Sequence, residues 1–373
     1  MTGGAPSFSE RVDWLRLART PQVGPVTFHK LLQRYGTPAE AIGALPELAR
    51  RGGRHQPLKV TDREAAEQEI EATDAAGARL LIACEADYPQ LLAALDPPPP
   101  VITVRGPLVP DDHACCAIVG SRNASAIGLR FARDMAAELG RAGVVIVSGL
   151  ARGIDGSAHA GALETGTIAV LAGGIGHIYP PEHAELHAAI GERSLLVTES
   201  PPGATPTARD FPRRNRLISG LSLATLVIEA ALRSGSLITA RFAAEQGREV
   251  MAAPGSPLDP RAKGSNRLIR DGAALIEDAE DVLEILRHAK RPATAEPPAP
   301  PWEPVDDHAE DAGEHDRLYA LLSPSPVPVD ELIRQSGLAP GRVHAVLIEL
   351  ELAGRALVLP GGFVQQAWPD TNG

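Results

Sequence analysis

The chain has 373 residues, 44% of them hydrophobic, with mixed charge, which fits a globular protein of two or three domains. No run of eighteen apolar residues exists and the N-terminus lacks a charged-then-apolar leader, so a soluble, cytoplasmic protein without a membrane partner is expected. The three cysteines, Cys84, Cys115 and Cys116, form no CxxC pair, which argues against a disulfide framework or a metal site. The net charge of −11 would disfavour a nucleic-acid binder if it were evenly spread. It is not: residues 113–290 carry 19 basic and 19 acidic side chains, whereas residues 306–373 carry 4 and 11. Phosphate binding depends on the local field, and the middle of the chain is neutral.

Residues 1–75 read as helical. Trp14, Leu15, Leu17 and Ala18 recur at helix spacing, the segment from Pro21 to Val26 interrupts, and Phe28, Leu31, Leu32 and Tyr35 resume. Helix, tight turn, helix predicts a SAM-like or helix-hairpin-helix domain. Pro25 has no N–H to give a phosphate, so packing or dimerisation is the role expected of it. Two apolar runs, Arg79–Ala83 and Val101–Val104, read as edge strands.

From residue 115 onward, apolar runs alternate with amphipathic segments. The runs are 116–120, 144–149, 168–172, 195–198, 224–229 and 250–253. This alternation predicts, for residues 76–290, an extended Rossmann-like domain with a doubly wound, mainly parallel sheet. A Pro/Ala-rich linker, 291–305, precedes residues 306–373, where three helices (316–322, 329–336, 340–352) and a hairpin (355–359, 363–366) predict a winged helix. The fold class is therefore α/β, with a small helical domain and a winged helix at its ends.

Ligands of an open parallel sheet sit beyond the carboxyl ends of its strands. There the sequence places Gly120-Ser121-Arg122, Gly149 and Arg152, the loop from Gly173 to Tyr179, Ser234-Gly235-Ser236, and the segment from Pro254 to Ser256. Small, donor-rich turns repeated along one edge suit an anion. Two basic clusters point to a polymer: Arg209, Arg213, Arg214 and Arg216, with Asn215 among them, and Arg261, Lys263, Arg267 and Arg270, with Asn266. Phe211 and Tyr179 are candidates to stack a base. A P-loop is absent, and Arg122 stands where a dinucleotide fingerprint needs room. Asp155, His159, His177, Glu199 and Glu229 have no spacing that identifies a mechanism. Asp155 is expected to cap a helix and the histidines to be polar loop residues. A binding protein without cofactor or catalytic residues is the expectation. The alternative is a nucleotide-binding enzyme such as a nucleoside monophosphate phosphoribohydrolase, whose signature is partly echoed by Gly173-Gly174-Ile175-Gly176.

These motifs occur in a recognisable order: DYP (87–89), Gly120-Ser121-Arg122, SGLARGIDGSAH (148–159), GGIGHIYPPEH (173–183), FPRRNRLISGLS (211–222), EA followed by SGSLITA (229–240), and KGSNRLIRDGA (263–273). The set resembles the DNA-processing protein A family (DprA/Smf), in its longer form with both end domains. The resemblance implies a homodimer, formed through the Rossmann-like domain, that binds and protects single-stranded DNA and loads RecA recombinase in natural transformation. It also implies a DNA pocket at Ser121, Arg122, Phe211 and the basic residues around Arg209. Pro181 departs from relatives that carry lysine after the Tyr-Pro. Residues 237–247 are the candidate helix for the dimer contact. The third helix of the winged helix bears Arg342 and His344 but also Glu349 and Glu351, so a protein contact is expected of it rather than duplex DNA.

Overall fold

A computed structural model describes residues 6–289, 312–359 and 361–367; the expected linker lies outside these residues. They fall into two compact units. One comprises the chain through Gln68, the segment Asp96–Val101 and the C-terminal residues, and the other comprises Glu69–Leu95 and the residues from Ile102 to the linker.

The chain opens with four helices, α1 (Phe8–Arg19), α2 (Pro25–Tyr35), α3 (Pro38–Arg51) and α4 (Arg63–Ala75). Ser7 and Glu10 cap α1 reciprocally, each side chain bonding the other's backbone N–H. Pro25 opens α2 just after Gly24, where the absent N–H costs no helical bond. In α3, Ala41, Leu45, Leu48 and Ala49 share one buried face. Trp14 and Phe28 pack with ring centroids 5.1 Å apart, and the Trp14 indole N–H donates to the Pro100 carbonyl at 2.8 Å.

The second unit is built on a nine-stranded sheet. Its elements are β1 (Arg79–Ile82), α5 (Gln90–Ala93), β2 (Val101–Arg105), β3 (Ala114–Gly120), α6 (Ala126–Arg141), β4 (Val144–Ser148), α7 (Ile154–Ala162), β5 (Thr167–Val170), α8 (Ala184–Arg193), β6 (Leu195–Thr198), α9 (Asp210–Gly220), β7 (Ala224–Ile228), α10 (Ser236–Glu245), β8 (Glu249–Ala252), α11 (Lys263–Arg270), β9 (Ala274–Leu275) and α12 (Ala279–His288). The strand order is β1-β2-β6-β5-β4-β3-β7-β8-β9. Every described pairing from β6 to β9 is parallel, and β2 joins β6 antiparallel. Strands β4 to β7 are buried at every position, as a sheet covered on both faces requires. The apolar runs in the sequence therefore mark these strands directly. The two-residue β9 lies within the short apolar stretch 273–276, which is not among the runs read as strands from the sequence.

The C-terminal residues form α13 (Ala312–Ala320), β10 (Val327–Pro328), α14 (Val329–Ser336), α15 (Pro340–Leu352), β11 (Ala356–Leu359) and β12 (Phe363–Gln366). Strand β12 pairs antiparallel with both β10 and β11. This winged helix has its own core, built from Leu318, Leu332, Val343, Val346, Leu350 and Val364 among others. It belongs to the same unit as α1–α3, although the sequence treats the two ends as separate domains.

Glu351 of α15 is buried in that unit. It accepts hydrogen bonds from the Thr27 hydroxyl and, at 3.0 Å, from the Val358 N–H, and the Lys30 ammonium is the charge that attracts it. Burial pushes its carboxyl up to about 7. An acid whose pKa is raised by folding stabilises the fold most below its unfolded pKa, and that contribution is lost as pH rises through 7. Glutamine at this position mimics the protonated acid. Thermal unfolding is therefore expected to show Glu351→Gln gaining stability over the parent at pH 8 and losing that advantage by pH 5. An advantage equal at both pH values would mean that Glu351 does not titrate with folding.

Candidate nucleic-acid interface

The chain runs from β3 outward through β4, β5 and β6, then returns to lay β7 against the other side of β3. The carboxyl ends of β3 and β7 thus flank a topological switch point, where open α/β sheets form a crevice. The loops singled out in the sequence converge on this edge, but their roles divide sharply.

The loop after β4 is held from below. Leu150 has a left-handed backbone, φ 55°, which costs a non-glycine residue roughly 1–2 kcal/mol. Three side chains fix it. Asp155 Oδ2 accepts the Gly149 N–H at 3.1 Å, His159 Nε2 accepts the Leu150 N–H at 3.3 Å, and His183 Nδ1–H donates to the Leu150 carbonyl at 3.0 Å. The Thr167 hydroxyl donates to the Ile146 carbonyl, so it must accept from His159 Nδ1–H, 2.7 Å away. His159 is therefore the neutral Nδ1–H tautomer, and burial pushes its pKa down to about 3. Neither expectation for these residues holds. Asp155 lies in the first turn of α7, whose N-cap is Gly153, and His159 is a buried helical residue.

Beneath the loop lies Arg214, only 6% exposed. Its Nη1 donates to the carbonyl of Gly149 at 2.6 Å and also to that of Val170. Burial lowers its pKa to about 10, opposed by the facing Asp155, so it stays charged at neutral pH. A side chain at Gly149 would run into this guanidinium, with a Cβ 2.7 Å from it. The sequence offers Gly149 and Arg214 as direct contacts; in the structure the Gly149 N–H is already bonded to Asp155 and the Arg214 guanidinium to two backbone carbonyls.

Other predicted residues are likewise engaged. Arg216 pairs with Glu199, both nearly buried. The Arg152 guanidinium pairs with Glu182 and is exposed. Asn215 donates to the Gly235 carbonyl at 3.3 Å, and the Ser234 and Ser236 hydroxyls bond each other at 2.7 Å. Asn266 clamps Gly255 through both its N–H and its carbonyl, at 2.8 and 3.0 Å. Gly120 permits close packing, since a Cβ would sit 1.9 Å from the Ile228 carbonyl oxygen. Ser121 accepts the Asn123 N–H at 3.1 Å. In the second basic cluster Arg261 pairs with Asp259 and Arg267 with Asp271, while Lys263 stays exposed.

What faces solvent is a smaller set. Arg122 is exposed, with its guanidinium carbon 5.4 Å from the centroid of the Phe211 ring. Tyr179, 47% exposed, packs its ring 5.3 Å from that of Phe211. Arg209 and Arg213 are exposed at the start of α9, which carries Phe211, and neither has an ion pair among the described residues. Phe211, Tyr179 and His177 line a shallow depression whose floor includes Gly149, Gly173 and Arg214.

Glu229, to which the sequence assigns no role, has one in the structure. It follows β7 with a left-handed φ of 50° and turns its carboxylate onto the first turn of α6. There it accepts the Ser125 N–H at 2.8 Å and the Ser125 hydroxyl, and it lies against Gly128. The helix N-terminus beside the switch point, where a mononucleotide phosphate would bind, is thus occupied by the protein's own anion. Only the pairing of β7 with β3 brings residues 125 and 229 together, so no local pattern could reveal the contact.

Replacing a buried, partnered charge leaves its neighbours unmatched. Arg214→Met is therefore expected to destabilise the protein by ~3–5 kcal/mol, and the exposed Arg213→Met by no more than about 0.5 kcal/mol. Urea unfolding monitored by circular dichroism separates the two, and equal small effects would refute the structural role given to Arg214.

The family model described as DNA recombination-mediator protein A matches residues 79–287. The DprA-like N-terminal HHH domain matches residues 9–72, and the DprA winged helix domain matches 289–362. The N-terminal domain is thus helix-hairpin-helix rather than SAM-like. The chain is 43% identical over 290 residues to protein Smf of Escherichia coli, covering 76% of this chain and 77% of that one. It is 45% identical over 202 residues to the DNA processing protein DprA of Bacillus subtilis, covering 53% and 68%. Among solved structures, DprA from Streptococcus pneumoniae matches with a TM-score of 0.63 at 33% identity, covering 75% of this chain and 98% of that one. DprA from Helicobacter pylori, described by its single-stranded DNA binding mode, matches with a TM-score of 0.52 at 27% identity, covering 57% and 96%. By sequence and by fold, the chain belongs to the DNA recombination-mediator protein A family.

Proposed function

We propose that this chain binds single-stranded DNA across the carboxyl edge of its sheet, protects it, and hands it to RecA recombinase during transformation and recombination. The observation that carries the proposal is the Arg122–Phe211–Tyr179 cluster beside the exposed Arg209 and Arg213. Exposed aromatic faces next to cations form a platform on which bases stack while phosphates are neutralised, and such a platform tolerates any sequence. The likeness to the Helicobacter pylori protein, whose structure is described by its single-stranded DNA binding mode, supports the same reading.

The direct contacts in this proposal are Arg122, Phe211, Arg209 and Arg213, with Arg152 and Lys263 as outlying cations and the backbone at Ser121 and Gly235 along the path. Gly120, Gly149, Arg214, Asn215, Arg216, Ser234, Ser236 and Asn266 act by holding those loops in place. A homodimer formed through this domain, and action in the cytoplasm, belong to the same proposal.

The role is one of binding. Asp155 and His159 are spent on the loop after β4, Glu199 on Arg216, and Glu229 on α6. The phosphoribohydrolase alternative is disfavoured because its signature is only partly echoed, at residues 173–176, and because these acids are already engaged within the protein.

Fluorescence anisotropy with labelled oligo-dT tests the site. For every phosphate of a single strand that a variant leaves unneutralised, the slope of log affinity against log salt is expected to fall by about 0.7. Arg122→Ala should therefore weaken binding and flatten that slope. Phe211→Ala is expected to lose about 1–3 kcal/mol of affinity with the slope unchanged. Affinities equal to the parent's for both variants would place the DNA elsewhere. Release of free base from nucleoside monophosphates would support the enzyme instead.

A further inference from the structure

We propose that α15, the third helix of the winged helix, is an intramolecular docking element that fastens the C-terminal domain onto the helix-hairpin-helix domain, and that it is unavailable for reading duplex DNA. In helix-turn-helix folds the recognition helix needs one free face to enter the major groove. Here α15 is buried on two faces. Val343, Val346, Leu347 and Leu350 enter the winged-helix core. Ala345, Ile348 and Leu352 lie outside that core, on the far side of the helix, yet are 5%, 1% and 0% exposed. Helix α3 packs against α15 in the same unit.

The contact involves backbone as well as side chains. Gly52, at the end of α3, touches α15 so closely that a Cβ there would lie 1.9 Å from the Glu349 carbonyl oxygen and 2.9 Å from the Ala353 Cβ. Long hydrogen bonds run both ways: Arg54 Nη1 donates to the Leu352 carbonyl and Arg355 Nη1 to the Gly52 carbonyl, each at 3.4 Å. The fully buried Thr27 bonds Glu351.

The polar residues of α15 are engaged in the same way. Glu349 is 1% exposed and bonds His315 Nε2 at 2.5 Å. Arg342 is paired with Glu314 at 2.6 Å, and His344 Nδ1–H donates to the Pro340 carbonyl at 2.8 Å. The side chains that would meet phosphate, Arg342 and His344, are paired or turned onto the backbone, and the two acids are held away from water. The docking partner is therefore the chain's own N-terminal domain.

The test uses the full chain with a specific protease site placed between residues 296 and 300. After cleavage, the C-terminal fragment is expected to co-elute with the remainder in native size-exclusion chromatography. Gly52→Arg should release it. Gly52 has φ −67° and ψ −3° at a helix end, a conformation open to any residue, so this substitution strains the contact rather than α3. Ala353→Arg, on the other partner, provides an independent second disruption. Both released forms should keep the parent's affinity for oligo-dT, and the uncleaved parent should show no binding of a 30-base-pair duplex that depends on Arg342 or His344. A fragment that separates from the parent, or that stays bound in both variants, would overturn the proposal. So would duplex binding by the parent that Arg342→Ala and His344→Ala abolish.

Discussion

A buried guanidinium with two backbone carbonyls as its acceptors organises the carboxyl edge of this sheet. Arg214 leaves α9, passes beneath the loop after β4, and bonds the carbonyls of Gly149 and Val170 while facing Asp155. An unpaired charge in this position would be prohibitively costly, so the sheet and α9 must supply partners, and in doing so they are fixed relative to one another. Asp155 then fixes the Gly149 N–H, and His159 fixes that of Leu150. Through this network α9 holds Phe211 beside Tyr179 and Arg122. The exposed cluster inherits its geometry from a charge that is largely buried.

That arrangement separates two uses of arginine. Arg214 and Arg216 are consumed by carbonyls and by Glu199, so they stiffen the rim. Arg122, Arg209 and Arg213 remain exposed. Glu229 adds a negative element of selection, because it closes the helix terminus at which a single nucleotide would anchor. What remains suits a chain that presents phosphates and bases in succession, and is poorly suited to an isolated phosphate.

The sheet was legible in the sequence because burial on both faces forces continuous apolar runs, and residues 195–198 form a strand with the same bounds as their apolar run. The winged helix was legible for the same reason of pattern, with α14 and α15 matching the expected spans. The site was only half legible. Composition and position drew attention to Arg209–Arg216, but sequence treats four arginines alike, and only the fold decides that Arg214 points inward. The donor-rich loops likewise suggested free N–H groups, whereas those of Gly149 and Leu150 are satisfied by residues six and nine positions away. The packing of α15 against α3 joins segments about 300 residues apart, beyond the reach of any local pattern.

The cluster around Phe211 is proposed to receive a single strand. A crystal structure with oligo-dT tests it most directly. A thymine is expected to stack on Phe211 or Tyr179, with flanking phosphates at Arg122 and at Arg209 or Arg213, and with Arg214 still bonded to the Gly149 carbonyl. A strand lying along the winged helix, or an Arg214 side chain swung out to a phosphate, would contradict it.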